Sequence, residues 1–424
     1  MTAEQALPDG VRIRALGPGD DRDAYLDLTA RAFGAAAGTQ GAWERTLPVI
    51  ADGRCLGAFA GSQLVGSALF HDMRQWWLGR AVPMAGVAGV KVAPEWQGRG
   101  IGRALMSALL GEIAARGYPL SALYPATMPI YRSLGWELAG GIYEAVIPAR
   151  SLRSFVAPDV LDEPGAARSR PGRLRRAVPG DADEVLSVIG RVHEAARDCG
   201  PVTRAPGAVR RWLAEPELYT YLADDGFLAY RWHRGNEEIF VERAVAVSAQ
   251  TLRALWAVVA SHASIAPAVR ALAGPADPLW WLTREPDAKL SHRASHGMWM
   301  LRVVDAPAAI AARGFPAAAE LAIRLRLSDD SRTGNAGLWE LAVGGGKGSL
   351  TPCRAASRPA GGNTGNRPPG GGPLTLGARG FAALYAGTPL ATLRRAGLAA
   401  AGDPDADGAV DAVFAARAFM LDSF

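Results

Sequence analysis

The clearest pattern in the chain is a change from strand-like to helix-like spacing of apolar residues between positions 90 and 113. Val90 and Val92 are β-branched and separated by one polar position, which is typical of a strand. After a break at Pro94, apolar residues recur at helical spacing; they are Ile101, Ala104, Leu105, Ala108, Leu109 and Ile113. Gly117 predicts the end of this helix. The segment is therefore predicted to be a strand, a glycine-containing loop and a helix, in that order.

The flanking segments predict the rest of an α+β domain. An alternating strand at 11–15 is followed by a helix that carries Tyr25, Leu28 and Phe33. Further strands are predicted at 55–60, 64–71, 84–92 and 120–124. This order places a β-α-β core around the glycine loop and predicts a first domain over residues 1–150.

The opening of this domain recurs later in the chain. Residues 14–20 (RALGPGD) are echoed by residues 176–181 (RAVPGD), again before a helical pattern. Residues 245–255 fall where the strand and glycine loop would recur, but they contain no glycine. Side chains there would keep the backbone from closing on an anion. We therefore predict a degenerate duplicate over residues 151–300, joined to the first domain by a Pro- and Gly-rich linker at 158–172.

A third pattern begins near residue 301. It predicts a helix at 306–313 and alternating strands at 321–327 and 338–343. Residues 344–372 are rich in Gly, Pro and Asn and are predicted to be a mobile loop or insertion. Alanine-rich helices are then predicted at 379–386, 390–398 and 409–416. The third domain is predicted to span residues 301–424.

Composition and charge limit the cellular compartment and the binding partners that can be expected. The 46 basic residues are nearly balanced by 41 acidic ones, and the basic cluster at 167–176 contains no aromatic residue, so no nucleic-acid partner is expected. No apolar run approaches the ~18 residues that a membrane span needs. Three widely spaced cysteines and six histidines show no metal-binding spacing, so no metal is expected. With no signal-peptide pattern, the chain is predicted to be cytoplasmic.

The loop itself, Gln97-x-x-Gly100-x-Gly102, has the chemistry of an anion site. Glycines at the start of a helix allow a ligand close to the backbone, and the helix N-terminus favours a phosphate. Arg99 and Arg103 add positive charge. The spacing is neither that of a P-loop, which requires Gly-Lys-Ser/Thr, nor that of a dinucleotide-binding loop.

This Gln-x-x-Gly-x-Gly order after a Val-x-Val strand resembles the acetyl-CoA pyrophosphate loop of GCN5-related N-acetyltransferases. The whole plan resembles the Eis (enhanced intracellular survival) family of bacterial N-acetyltransferases. Besides the loop, the likeness rests on residues 121–136 (SALYPATMPIYRSLGW) and on the chain end at 414–424 (FAARAFMLDSF). It implies an α+β fold: two tandem domains of the GCN5-related type, the second degenerate, and a C-terminal domain like a sterol carrier protein.

The resemblance also implies roles for particular residues. Tyr131 corresponds to the general acid, and the free carboxylate of the C-terminal Phe424 corresponds to the general base. The family lines its amine pocket with aromatic residues where Phe33 and Trp43 lie here. Acetyl-CoA is expected to contact Val90, Lys91, Val92, Gly98, Arg99, Gly100, Ile101, Gly102, Arg103, Ala126 and Thr127. A homohexamer built from trimers is expected as well.

Each of these residues has a purely structural alternative. Tyr131 fits a core aromatic, Phe33 and Trp43 fit ordinary helix packing, and a terminal Phe is usually frayed. The apolar residues at 419–421 indicate instead that the chain end is docked. Ser423 stands where the family often carries an acidic residue, with Asp422 one position earlier.

Three functions remain open at this point. The leading one is acetyl-CoA-dependent acetylation of multi-amine small molecules such as aminoglycosides. The second is acetylation of protein or peptide lysines. The third is a non-enzymatic carrier of hydrophobic ligands through the third domain, which would leave the glycine loop without a purpose.

Overall fold

The computed structural model describes residues 10–20, 22–34, 42–155, 174–282, 289–292, 297–353 and 372–424. The predicted linker at 158–172 lies outside them. The first region contains β1 (Val11–Ala15), α1 (Arg22–Phe33), α2 (Ala42–Ala51), β2 (Cys55–Ala60), β3 (Gln63–Trp77), β4 (Arg80–Val92), α3 (Ile101–Ala115), β5 (Leu120–Leu123), α4 (Pro129–Arg132) and β6 (Glu137–Pro148). Strand β3 runs past its predicted end at His71.

The first sheet follows the order β1-β2-β3-β4-β5, antiparallel except for the parallel pair β4 and β5. Helix α3 connects these two parallel strands. It buries one apolar face against the sheet: Ile101, Leu105, Met106, Leu109, Leu110 and Ile113. Four residues of the predicted helical spacing lie on this face, whereas Ala104 is half-buried and Ala108 is exposed, because the larger Met106 and Leu110 turn the buried face toward their side.

The second region contains β7 (Arg175–Arg176), α5 (Ala182–Ala196), β8 (Cys199–Arg204), α6 (Pro206–Leu213), β9 (Tyr219–Ala223), β10 (Gly226–His233), β11 (Glu238–Ala246), α7 (Ala249–Ala260), β12 (Ala268–Leu272), α8 (Leu279–Leu282), β13 (Lys289–His292) and β14 (Met298–Val303). Its sheet order, β7-β9-β10-β11-β12, repeats that of the first region. Strands β11 and β12 are parallel and joined through α7, as β4 and β5 are through α3.

The two sheets are joined by strands that cross between them. Strand β6 pairs with β12 of the second sheet, and β14 lies between β5 and β6 in the first. Strand β8 of the second region pairs with the far end of β3. This exchange, which the linear pattern does not indicate, makes one continuous sheet from both regions.

The third region contains α9 (Ala306–Ala312), β15 (Leu321–Ser328), β16 (Gly337–Gly344), β17 (Lys347–Pro352), β18 (Leu374–Gly377), α10 (Ala378–Tyr385), α11 (Leu390–Arg395), β19 (Ala399–Ala400), α12 (Asp407–Phe414) and β20 (Phe419–Met420). Its sheet has the order β17-β16-β15-β18-β19. The prediction of a loop from residue 344 onwards is wrong over Lys347–Pro352, where the chain turns at Gly345–Gly346 and returns as β17. Residues 354–371 of that predicted loop lie outside the described residues.

Buried arginines tie the third region to the rest. Arg302 of β14 makes a fully buried ion pair with Asp329, with an N–O distance of 2.6 Å. Arg313 lies among the rings of Trp77, Phe315, Tyr385 and Phe414 and donates to the Tyr385 carbonyl oxygen at 2.6 Å. Guanidinium groups stack well on aromatic faces, which suits them to such sites.

Candidate active site

The site begins where β4 and β5 separate. Their parallel pairing ends at Val87 and Leu123, after which β4 continues to Val92 paired only with β3. On the other side of β4, Gly89 and Val90 lie opposite the single residue Ala68 of β3, and Gly89 has a φ of 59°. This β-bulge turns the backbone of β4 locally, so main-chain groups at the opening cleft are released from the ladder.

The glycine loop closes one end of this cleft. Gly98 and Gly100 have φ values of 75° and 78°, and the loop residues from Gln97 to Gly100 are exposed. Helix α3 begins only at Ile101, because both glycines adopt left-handed backbone. Gly100 is the N-cap, with no side-chain hydrogen bond to the first turn. The first-turn amides are therefore left for a ligand or water.

The remaining loop residues have different surroundings. A Cβ at Gly102 would lie 3.2 Å from the Ile130 side chain, so this glycine allows α3 to pack close to α4. The Arg99 guanidinium stacks over Trp96 at 4.8 Å, and Arg103 is exposed at the first turn of α3.

Lys91 lies within the predicted cofactor segment, but its side chain points to the opposite face of the sheet. It is buried, with its ammonium 3.9 Å from the centre of the Tyr25 ring. Burial lowers the pKa of Lys91 to about 8, although the nearby Cys55 thiol opposes the shift. Only its main chain therefore faces the cleft alongside Val90 and Val92, whose side chains pack with the α3 cluster.

The chain from β5 to α4 forms the other side of the site. Ala126 and Thr127 are exposed in this connection, and Tyr131 on α4 is buried in the apolar cluster that includes Val87 and Leu123. Burial raises the pKa of the Tyr131 phenol. The hydroxyl therefore stays protonated across the neutral range, as a proton donor must.

The end of the chain docks against the same two strands. The Phe424 ring lies 5.2 Å from that of Tyr124, which follows β5, and a Cβ at Gly86 of β4 would lie 2.9 Å from it. The Tyr124 hydroxyl also donates to the Asp422 carbonyl oxygen. The prediction of a docked end is confirmed. Sequence reasoning missed Tyr124: it lies in the 121–136 segment that carries the family resemblance, but the resemblance implies no role for it, and the signal that marks it is its position directly after a strand of the cleft.

The two residues predicted to line an amine pocket lie in different environments. Trp43 is 7% exposed and packs edge-on against Tyr25 at 5.5 Å, whereas Phe33 is 56% exposed. Nearby carboxylates already face arginines; the pairs are Asp20–Arg14, Asp23–Arg22 and Glu44–Arg22.

The corresponding site of the second region is filled from within the chain. Ser248 caps α7 by accepting from the Thr251 amide at 3.2 Å. The Asp225 carboxylate accepts from the Ser248 amide at 3.0 Å and from the Thr251 hydroxyl at 2.5 Å. Asp225 thus occupies the anion position at this helix N-terminus. The absence of glycine from residues 245–255 and the presence of this carboxylate both oppose the binding of an anion at this helix.

Comparison with known proteins agrees with this geometry. Residues 12–139 and 200–303 each match an acetyltransferase (GNAT) domain, and residues 306–421 match a sterol carrier protein domain. A crystal structure of a GCN5-related N-acetyltransferase from Kribbella flavida is 40% identical, with a TM-score of 0.84 over 98% of this chain and 99% of that one. The splayed strands, the bulge and the uncapped helix therefore belong to a GCN5-related N-acetyltransferase.

Two further relatives define the family within that class. N-acetyltransferase Eis of Mycobacterium tuberculosis is 30% identical over 80% of this chain and 84% of that protein. The structure of Eis1 from Mycobacterium abscessus is 25% identical, with a TM-score of 0.73, and the match covers 98% of this chain and 100% of that one. The chain belongs to the Eis family of N-acetyltransferases, and the predicted family and fold class are confirmed.

Neither a membrane span nor a metal cluster is found in the part of the chain that the structure describes. Across those ranges, no helix is long and apolar enough to cross a membrane. The same residues contain no cluster of three or more His, Cys, Asp or Glu side chains arranged to hold a metal ion.

Proposed function

We propose that this acetyltransferase binds acetyl-CoA in the cleft between β4 and β5 and transfers the acetyl group directly to an amine. The observation that carries the proposal is the uncapped start of α3, where Gly98 and Gly100 in left-handed backbone leave the first-turn amides facing solvent. The pyrophosphate would lie on the amides from Gly98 to Arg103, with the thioester carbonyl at the bulged Val90–Val92 segment.

The acceptor needs a base. An alkylammonium is mostly protonated near neutral pH and has to lose a proton before it attacks the thioester carbon. The Phe424 carboxylate, with an ordinary pKa near ~3.5, is ionised and accepts that proton directly or through water. Docking of the Phe424 ring against Tyr124 supports this role, because it brings the end of the chain to the cleft.

The leaving group needs an acid. As the tetrahedral intermediate collapses, the bond from carbon to sulfur breaks and the coenzyme A thiolate departs. Tyr131 donates its phenolic proton to that sulfur, and the raised pKa of Tyr131 keeps the proton available until then.

For the acceptor, we propose small molecules with several amines, aminoglycosides among them, as the family resemblance implies. One observation favours a second class, the single amine of a peptide lysine. A cavity of about 280 Å³ beside Leu421–Ser423 has balanced formal charges, because its carboxylates are matched in number by arginines: Glu215, Glu242 and Asp422 by Arg204, Arg231 and Arg243. A cavity balanced in this way gives little attraction to a polycation.

An acetyl-CoA turnover assay that follows thiol release tests the proposed function and distinguishes between these classes of acceptor. Kanamycin, spermidine and a lysine peptide would be compared at equal amine concentration. Turnover with any of them supports the proposal, and their order of kcat/KM identifies the acceptor class. No turnover with any amine would overturn it and revive the hydrophobic-ligand carrier interpretation.

Replacing Tyr131 by Phe is expected to lower kcat by about 100-fold with acetyl-CoA affinity unchanged, because only the proton donor is lost. Stopped-flow detection of thiol release and calorimetry of acetyl-CoA binding give the two quantities. Tyr118→Phe is the matched control, because it removes a tyrosine hydroxyl that hydrogen-bonds Asp72 beyond the C-terminal end of α3. An unchanged kcat in Tyr131→Phe would remove the tyrosine from the mechanism.

Titration is expected to give one acetyl-CoA per chain. At the start of α7, Ser248 caps the Thr251 amide and the Asp225 carboxylate accepts from the Ser248 amide, so a pyrophosphate would meet a like charge there. Calorimetry measures the stoichiometry directly, and two equivalents per chain would contradict the proposed degeneracy.

We further propose domain boundaries near residues 150 and 300 and a homohexamer. Light scattering should then give six times the chain mass of 44.5 kDa. A monomer mass would reject the assembly and leave the chemistry untouched.

A further inference from the structure

The last seven residues lie in a groove that both catalytic and degenerate domains build. Strand β20 pairs in parallel with β6, which joins the two sheets. A Cβ at Gly140 of β6 would collide with the Ala418 carbonyl oxygen, and one at Gly200 of β8 would collide with that of Phe419. Any side chain at these glycines would displace β20 from the groove. The backbone of the chain end is therefore fitted closely up to residue 420.

Beyond β20, the backbone of Asp422 and the ring of Phe424 contact Tyr124 of the first domain, and the charged contacts come from the second domain. Arg243 on β11 pairs with the Asp422 carboxylate at 2.6 Å, and Arg204 on β8 lies 3.4 Å from the same group. Arg204 also donates to the Ser423 carbonyl oxygen at 2.6 Å. We call these three residues, Arg204, Arg243 and Asp422, the C-terminal clamp.

The clamp holds the Asp422 carboxylate in one position, which an ion pair on the solvent-exposed surface would not do. The side chains of Arg243 and Asp422 are 5% and 12% exposed, so their ion pair is little screened by solvent. Burial alone would raise the pKa of Asp422, but the Arg243 and Arg204 guanidiniums hold it below its ordinary range. The carboxylate is thus ionised and held from two strands at once.

We propose that Arg204 and Arg243 are positioning residues that act through Asp422 to place the terminal carboxylate of Phe424 at the acetyl-transfer site. This inference rests on the proposed function. Residue 422 is two positions from the chain end, and each residue spans up to ~3.5 Å, so rotation at an unclamped Asp422 would move the carboxylate by several ångströms. A shift of ~1 Å already costs about a hundredfold in rate.

The clamp also gives the second domain a role in catalysis. It has lost its own cofactor site, yet its strands β8 and β11 supply both arginines. The base of the first domain is therefore held by its degenerate copy, and the two domains form one catalytic unit. Ser423, where the family often carries an acidic residue, leaves Asp422 as the carboxylate that the arginines hold.

The test uses the full-length protein with its native C-terminus. Asp422→Asn keeps the shape of the side chain and removes its charge, and it is expected to lower kcat by about a hundredfold with the KM for acetyl-CoA unchanged. Arg243→Met should do the same, and Arg243→Lys should recover part of the loss. Arg270→Met is the matched control: Arg270 also bridges two carboxylates of the second sheet, Glu144 and Glu238, but lies outside the clamp.

A double-mutant cycle separates positioning from a general loss of stability. In a chain lacking Phe424, Asp422→Asn should cause little further loss, because the base is already displaced. Losses that multiply, or equal losses in Arg270→Met, would reject the clamp and indicate a structural effect. If deletion of Phe424 alone leaves turnover intact, the terminal carboxylate is not the base, and it is the proposed mechanism that is wrong. If that deletion abolishes turnover while Asp422→Asn and Arg243→Met are fully active, only the clamp is wrong.

Discussion

A tag fused to the C-terminus is expected to lower amine turnover at least ~100-fold and to leave acetyl-CoA affinity unchanged. The fusion turns the Phe424 carboxylate into a neutral amide, which cannot accept the proton of the acceptor. Deleting Phe424 should have a similar effect, because it moves the carboxylate back by up to ~3.5 Å, and ~1 Å is already costly. Acetyl-CoA binding is spared because the glycine loop at 97–103 is built by other elements.

Two comparisons make this result specific. An N-terminal fusion of the same tag should be fully active. Phe424→Leu keeps the carboxylate and loses only the ring contact with Tyr124 and Gly86, so it should retain much more activity than the deletion. A C-terminally tagged protein that turns over amines at the untagged rate would show that another group is the base.

Gly100→Val is expected to abolish acetyl-CoA binding, with an affinity loss of at least ~100-fold, while the domain stays folded. At a φ of 78° a β-branched residue is strained by ~1–2 kcal/mol, so the loop would relax into another conformation. The space around a Cβ here is empty of protein atoms within 4 Å, so a clash does not prevent folding. The side chain would instead project into the space that the pyrophosphate needs.

Gly111→Ala on the same helix is the control. Gly111 lies mid-helix, and the position that an alanine methyl group would take has no atom of a neighbouring element within 4 Å. Alanine there should therefore stabilise the protein by up to ~1 kcal/mol and leave binding intact. Calorimetry measures the affinities, and thermal unfolding measures the stability. Ordinary acetyl-CoA affinity in Gly100→Val would contradict the proposed placement of the cofactor.

Local patterns sufficed for several elements, because spacing and turn residues determine them directly. Strand β2 begins and ends at the residues that its pattern predicts, and α3 buries four of the six residues that recur at helical spacing. The predictions are wrong where local composition and pairing disagree. Residues 347–352 resemble a loop because they follow three glycines and contain Gly348 and Pro352, but they pair with β16 as a strand.

Some residues of the candidate site could likewise be predicted from the sequence, and others could not. The glycine loop, Tyr131 and Phe424 are marked by motifs and by a family resemblance, and the structure places all three around β4 and β5. Tyr124 and Asp422 lie in segments that carry the resemblance, but it implies no role for them, and the two arginines of the C-terminal clamp lie outside those segments. Their partners are far apart in sequence, and nothing at Arg204 or Arg243 alone distinguishes them from other arginines.

By itself, the sequence determined α3 with the strand before it, the repeat of the opening motif and the pattern of the glycine loop, since each depends on residues close together in the chain. Tertiary structure alone decided that β14 enters the first sheet, that Asp225 fills the second anion site and that the second domain holds the end of the chain. Those outcomes depend on pairing between distant strands, where hydrogen bonds and buried charges are satisfied only after the regions assemble.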